Sequence, residues 1–237
     1  MLTPTAAESD SGPSRIARLT QLGSVRRRGL LGASLAMAGA ALTGMAPAFG
    51  QKAGLRPTSP DDLGPFYPVG VPVDQDFDLT TVAGSDRRAL GQLLYVGGRV
   101  LDRRGEPIAD AVIEIWQANA AGRYTHPGDH SEAPLDPDFE GYAKIRTAAD
   151  GSYRIKTIKP GEYGGRTPHI HFDVRGKNTR LITQMYFEGE PRNETDGLLK
   201  DRSPEAKKTL ISTYGTPSAE QEPGALVAQW DVVMAFG

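Results

Sequence analysis

Between Gly161 and Phe172 the chain reads GEYGGRTPHIHF, a stretch that gathers a tyrosine, an arginine and two of the four histidines. On a β-strand, residues two apart share a face. His169 and His171 can therefore offer both imidazoles to one metal ion. Most such pairs bind nothing, one ring packing in the core while the other meets water. The company matters here. Tyr163 precedes the pair across a turn containing Gly164, Gly165 and Pro168, and Tyr124 lies in WQANAAGRYTHP. Taken singly, Tyr163 reads as a surface aromatic and Tyr124 as a strand-end cap on the core. Taken together with the histidines, the two tyrosines supply hard anionic oxygens that suit Fe(III). A free phenol titrates near about 10, so only a strong Lewis acid makes phenolate at neutral pH. Two phenolates and two imidazoles would hold Fe(III) and disfavour Fe(II).

The elements that must position these groups read as strands. LLYVGGRVLD (93–102) is strand-like and ends at the turn RRGEP. AVIEIWQAN (111–119) alternates, with Val112, Glu114, Trp116 and Ala118 on one face and Ala111, Ile113, Ile115 and Gln117 on the other. Residues 142–147 and 152–158 flank Ala148-Ala149-Asp150-Gly151, a hairpin signal. Residues 169–175 and 180–188 form a second pair, 226–236 a last strand, and 204–211 a short helix. Gly (28) and Pro (18) favour many turns over long helices. The expected fold is all-β, an antiparallel two-sheet sandwich with long loops.

Three regions are expected. Residues 1–50 form an export leader, disordered or helical, in which Arg27-Arg28-Gly29-Leu30-Leu31 reads as a twin-arginine signal. A weakly apolar Ala/Gly-rich run follows, with small residues near 46–50 for cleavage. Its shortness argues against a lasting membrane span, and the destination is periplasmic or extracellular. Residues 51–90 form an extended Pro- and Asp-rich arm, and 91–237 the β domain. Five of the 27 basic and two of the 29 acidic residues lie in the first fifty, leaving a net charge of −5 on the remainder. No basic patch with interleaved aromatics suggests a nucleic-acid partner. With no cysteine, disulfides, zinc-thiolate sites and a cysteine nucleophile are excluded.

At this point the sequence resembles the intradiol ring-cleavage dioxygenases, and in particular the iron-bearing (beta) subunit of protocatechuate 3,4-dioxygenase. The matching stretches are IEIWQANAAGRYTH, APLDPDFEGYAKIRTAADGSYRIKTIKPG, RTPHIHF and LITQMYFEGE. The resemblance implies non-haem Fe(III) held by Tyr124, Tyr163, His169 and His171. It makes Tyr163 the axial ligand and a proton acceptor. Arg166 stands beside the substrate ring, and Gln184 pairs with that arginine. The implied substrates are a catechol-type aromatic diol and O2, and the implied product is a cis,cis-muconate. It leaves room for a homo-oligomer or a second subunit. The GPFYP arm is similar to a segment at the pocket entrance, which makes Tyr67 a candidate pocket residue. His126 and His130 read as loop or rim residues, Trp116 as core, and Asp136 and Asp138 as turn formers. The loop from Tyr163 to His169 is shorter than in the protocatechuate enzymes and lacks the tryptophan after their axial tyrosine, so a more open pocket is expected.

Two other readings compete. GGRVLDRRGEPIADAVIEIW is a strand–turn–strand pattern common to transthyretin-like binding modules. A structural protein with an incidental metal is the other. Neither gives a reason to keep Tyr124, Tyr163, Arg166, His169 and His171 together.

Overall fold

The structure, a computed structural model, describes residues 54–70 and 75–236. The leader expected over 1–50 lies outside them. Among the described residues the alternation of apolar residues becomes nine strands: β1 (Leu93–Leu101), β2 (Val112–Trp116), β3 (Tyr142–Arg146), β4 (Ser152–Ile158), β5 (His169–Arg175), β6 (Arg180–Phe187), β7 (Ile211–Tyr214), β8 (Leu226–Gln229) and β9 (Val232–Val233). The one α-helix among the described residues, α1 (Pro204–Leu210), starts where Ser203 accepts a hydrogen bond from the Ala206 amide and Pro204 presets the first turn. No helix among the described residues is long and apolar enough to cross a membrane.

The strands bond in the order β3-β2-β5-β6-β7-β8-β1-β4, with β9 on β1. The arrangement is mixed rather than antiparallel, because β1 runs parallel to β8 and β9, and β6 parallel to β7. The expected hairpin of 142–147 with 152–158 is also corrected. Its turn forms, with Ala148 N–H donating to the Ser152 carbonyl at 2.9 Å. The strands then diverge to opposite ends of the path, β3 onto β2 and β4 onto β1 over seven residue pairs. The expected last strand splits at Trp230-Asp231. There the Trp230 carbonyl crosses over Gly98 so closely that a Cβ on residue 98 would sit 1.9 Å from the oxygen.

One core draws on both halves of the path. Ile113, Ile115, Ile170, Phe172 and Met185 share it with Leu94, Val96, Ile155 and Val232, and the rings of Phe172 and Trp230 meet at 4.9 Å between centroids. Burial of this apolar surface is the main stabilising contribution. The arm is tied along its length. Leu55 and Thr58 donate to the carbonyls of Arg103 and Val233, and Asp61 donates to that of Ile182 at 3.0 Å. This route carries the arm onto β6, beside the site.

Candidate metal centre and active site

The side chains with chemistry stand on one face of β2, β5 and β6, while the opposite face feeds the core. Register aligns Trp116 with His171 and His171 with Gln184, and places His169 opposite Tyr186. Between them, Ile170 and Phe172 point into the core, as the period of two requires. Tyr163 and Arg166 face each other across the Gly164-Gly165 turn, where the Arg166 amide donates to the Tyr163 carbonyl at 2.7 Å. Tyr124 follows β2 on a loop anchored by its own amide donating to Asp129 Oδ2 at 2.8 Å.

The two phenols and two imidazoles form a closed circuit. Ring centroids are 4.9 Å apart for Tyr124 and Tyr163, 5.3 Å for Tyr163 and His169, 4.9 Å for His169 and His171, and 6.3 Å for His171 and Tyr124. Tyr163 Oη lies 3.3 Å from His169 Nε2. His169 Nδ1 is 2.6 Å from the Thr167 carbonyl, so it carries the proton and leaves Nε2 free as a ligand. Burial, and then the nearby Arg166 charge, pulls the His169 imidazole down to about 4. His171 is held well below its ordinary value by burial, then by His169 and Arg166. Both rings are therefore neutral, the form that binds metal. Burial likewise pushes the Tyr163 phenol up and the Tyr124 phenol well above its ordinary value.

This donor set fits a hard, highly charged cation. Apart from a loose interaction with the Tyr163 hydroxyl, the buried Tyr124 hydroxyl has no hydrogen-bond partner, a costly state for a polar atom unless something else engages it. Buried phenols ionise at neutral pH only beside such a cation. Among the described residues no group of three or more His, Cys, Asp or Glu side chains could hold a metal, so the phenols are needed to complete a set.

Arg166 flanks the circuit in a dense network. Its Nε donates to Asp196 Oδ2 at 2.8 Å, and its Nη2 donates to Gln184 Oε1 at 2.8 Å and Tyr186 Oη at 3.0 Å. Asp196 is fully buried and also accepts the amides of Thr167, Leu198 and Leu199. The arm closes the network. Tyr186 donates to Asp61 Oδ2 at 2.9 Å, Arg202 donates to Asp61 Oδ1 at 3.1 Å, and Gln184 Nε2 donates to the Asp62 carbonyl at 2.8 Å.

Tyr67 sits outside the circuit. Its hydroxyl donates to Glu114 Oε2 at 2.8 Å and its ring meets Trp116 edge-on at 5.0 Å. Its neighbour Phe66 is the arm residue on the phenols, with centroids 4.7 Å from Tyr124 and 5.7 Å from Tyr163. His126 lies 5.6 Å from Phe66 and accepts the Gly128 amide on Nδ1, and His130 is exposed. Asp136 closes a turn by accepting the Asp138 amide. Asp61, Phe66, Tyr186 and Asp196 were not legible as site residues. Each acts through a contact 20 or more positions away in sequence, and only the pairing of Tyr186 with Gln184 on one strand face offered a signal.

A family model described as Dioxygenase matches residues 63–235. The protocatechuate 3,4-dioxygenase beta chain of Burkholderia cepacia is 41% identical over 183 residues, covering 73% of this chain and 74% of the relative. Catechol 1,2-dioxygenase 2 of Acinetobacter lwoffii is 34% identical over 160 residues, 59% of this chain and 55% of the relative, so the chain spans about half of that protein. Among solved structures, the dioxygenase domain of a dioxygenase carbohydrate-binding protein fusion from Streptomyces sp. SirexAA-E aligns with a TM-score of 0.60 at 30% identity, covering 77% of this chain and all of that one. The chain belongs to the intradiol ring-cleavage dioxygenase family.

Proposed function

We propose that this intradiol dioxygenase is a non-haem Fe(III) enzyme that cleaves a catechol-type ring between its two hydroxyl carbons, placing both atoms of O2 in a cis,cis-muconate. Protocatechuate, catechol and related phenolics are the substrate class. The observation that carries the reading is the closed circuit of two phenols and two neutral imidazoles beside Arg166. Tyr124, Tyr163, His169 and His171 would hold the iron. When bound, the iron supplies Lewis acidity that activates a catecholate toward O2.

The chain's own residues do the rest. Burial raises the affinity of the Tyr163 oxygen for a proton, so in its ionised form it accepts a proton from a catechol hydroxyl. Arg166, held by Asp196, Gln184 and Tyr186, is a fixed positive charge that stabilises negative charge developing on the ring. Gln184 is fixed by the Asp62 carbonyl and keeps the guanidinium aimed. Phe66 and Pro68 line a cavity of about 190 Å³ that reaches Tyr124.

The reading extends to the whole chain. The shared core of the two halves of the strand path supports two layers packed as a sandwich. The twin-arginine motif supports export to the periplasm or beyond, and assembly as a homo-oligomer or with a second subunit accords with the beta-chain relative. The test is mass spectrometry of products from catechol and from protocatechuate under ¹⁸O2. A muconate carrying two ¹⁸O atoms is expected. An extradiol aldehyde product, or no product from iron-loaded protein with any catechol tried, overturns the proposal.

A further inference from the structure

The two candidate ligand histidines are held in different ways. His169 has the usual support, its Nδ1 bonded to the Thr167 carbonyl at 2.6 Å. A metal-ligating histidine almost always has such a partner, which fixes both tautomer and ring orientation. His171 is as deeply buried as His169, yet its Nδ1 makes no well-formed hydrogen bond like that of His169. A loose hydrogen bond to the Asp62 carbonyl favours the protonated ring against burial, and the same oxygen also accepts the Gln184 amide at 2.8 Å.

Two packing contacts hold the ring more closely. The Trp116 indole stacks on the imidazole, with centroids 4.9 Å apart and planes within 7°. On the arm, Gly64 presses its bare Cα against the ring. A Cβ at position 64 would lie 2.9 Å from His171 Cε1 and 3.4 Å from Nε2, closer than side-chain carbons pack. Gly64 also has φ +73°, a conformation that glycine adopts at no steric cost.

We propose that Gly64 and Trp116 are positioning residues for His171, clamping its ring by packing where hydrogen bonding alone orients it poorly. The arm is then part of the metal centre, since the seat of a ligand lies more than 100 positions before it. This rests on the Fe(III) reading for its consequence, but not for its geometry.

The experiment uses the full chain carrying Gly64→Ala. In the iron-free protein, the Cε1–H resonances of His169 and His171 are followed by NMR, assigned by single His→Gln variants. In Fe(III)-loaded protein, the rate of iron loss to a chelator and the phenolate-to-iron absorption band are recorded. A shifted or broadened His171 resonance, an unmoved His169 resonance, and iron loss faster by about 10- to 100-fold are expected. A folded variant with His171 resonance and iron loss both unchanged overturns the proposal. If Gly64→Ala does not fold, Trp116→Phe, which shortens the stack, must accelerate iron loss, and an unchanged rate there overturns it equally. If wild-type protein takes up no Fe(III), the functional reading fails, and the NMR comparison still decides the positioning claim.

Discussion

Asp196→Asn removes one charge while keeping the shape of the side chain, and the network around Arg166 sets its cost. Asp196 is fully buried and the Arg166 side chain only 17% exposed. Burial alone would raise the Asp196 carboxyl. The Arg166 guanidinium and the amides of Thr167, Leu198 and Leu199 outweigh burial and hold it below its ordinary value. Its folded pKa is depressed, so its stabilisation is complete at neutral pH and is lost only as pH falls below about 4. An amide keeps one acceptor oxygen, but its NH2 group meets either the Arg166 donor or backbone amides. Breaking a buried pair from one side costs about 3–5 kcal/mol. A loss of about 3 kcal/mol in urea unfolding at pH 7 is expected, shrinking as pH falls below about 4, where the unfolded chain takes up the proton first. Turnover falls as well, because Arg166 loses the group that aims its Nε. Unfolding within about 0.5 kcal/mol of wild type at pH 7, together with unchanged kcat, would refute the claim that this pair organises the site.

Other outcomes follow from single contacts. Arg166→Ala should leave iron content unchanged and lower kcat by about 100-fold or more, the usual scale for removing one stabilising donor, as measured by steady-state O2 uptake. Tyr67→Phe breaks the bond to Glu114 and the contact with Arg175, and should cost about 1 kcal/mol in stability, read by urea melts, with kcat little changed. Gly98→Ala drives a methyl into the Trp230 carbonyl and should destabilise by at least about 3 kcal/mol or prevent soluble expression.

Much of the site was legible because it obeys strand periodicity. Once His169 and His171 lie two apart on a strand, their common face is settled, and Gln184 and Trp116 reach it by register. The strands that carry the site were also legible, since Ile113, Ile115, Ile170 and Phe172 alternate with them into the core. What escaped was long-range pairing. The turn at Ala148–Gly151 looks like a hairpin from local chemistry, yet β3 pairs with β2 and β4 with β1. The four-residue strand β7 carries Ser and Thr and is recruited by β6 and β8 rather than by its own pattern. The roles of Asp61, Gly64 and Phe66 depend on where the arm docks, and the likeness of GPFYP to a pocket-entrance segment indicates only its neighbourhood, not these contacts.

The central claim is that Tyr124, Tyr163, His169 and His171 converge on one Fe(III) that activates a catechol. The most direct test is the visible spectrum of the Fe(III)-loaded protein, with a catechol added without air and O2 then admitted, run beside Tyr124→Phe. A phenolate-to-iron band is expected that shifts with the catechol, decays to muconate on oxygenation, and is weakened with poorer iron retention in the variant. A protein that stays colourless after Fe(III) loading, or a variant with undiminished colour, would contradict it.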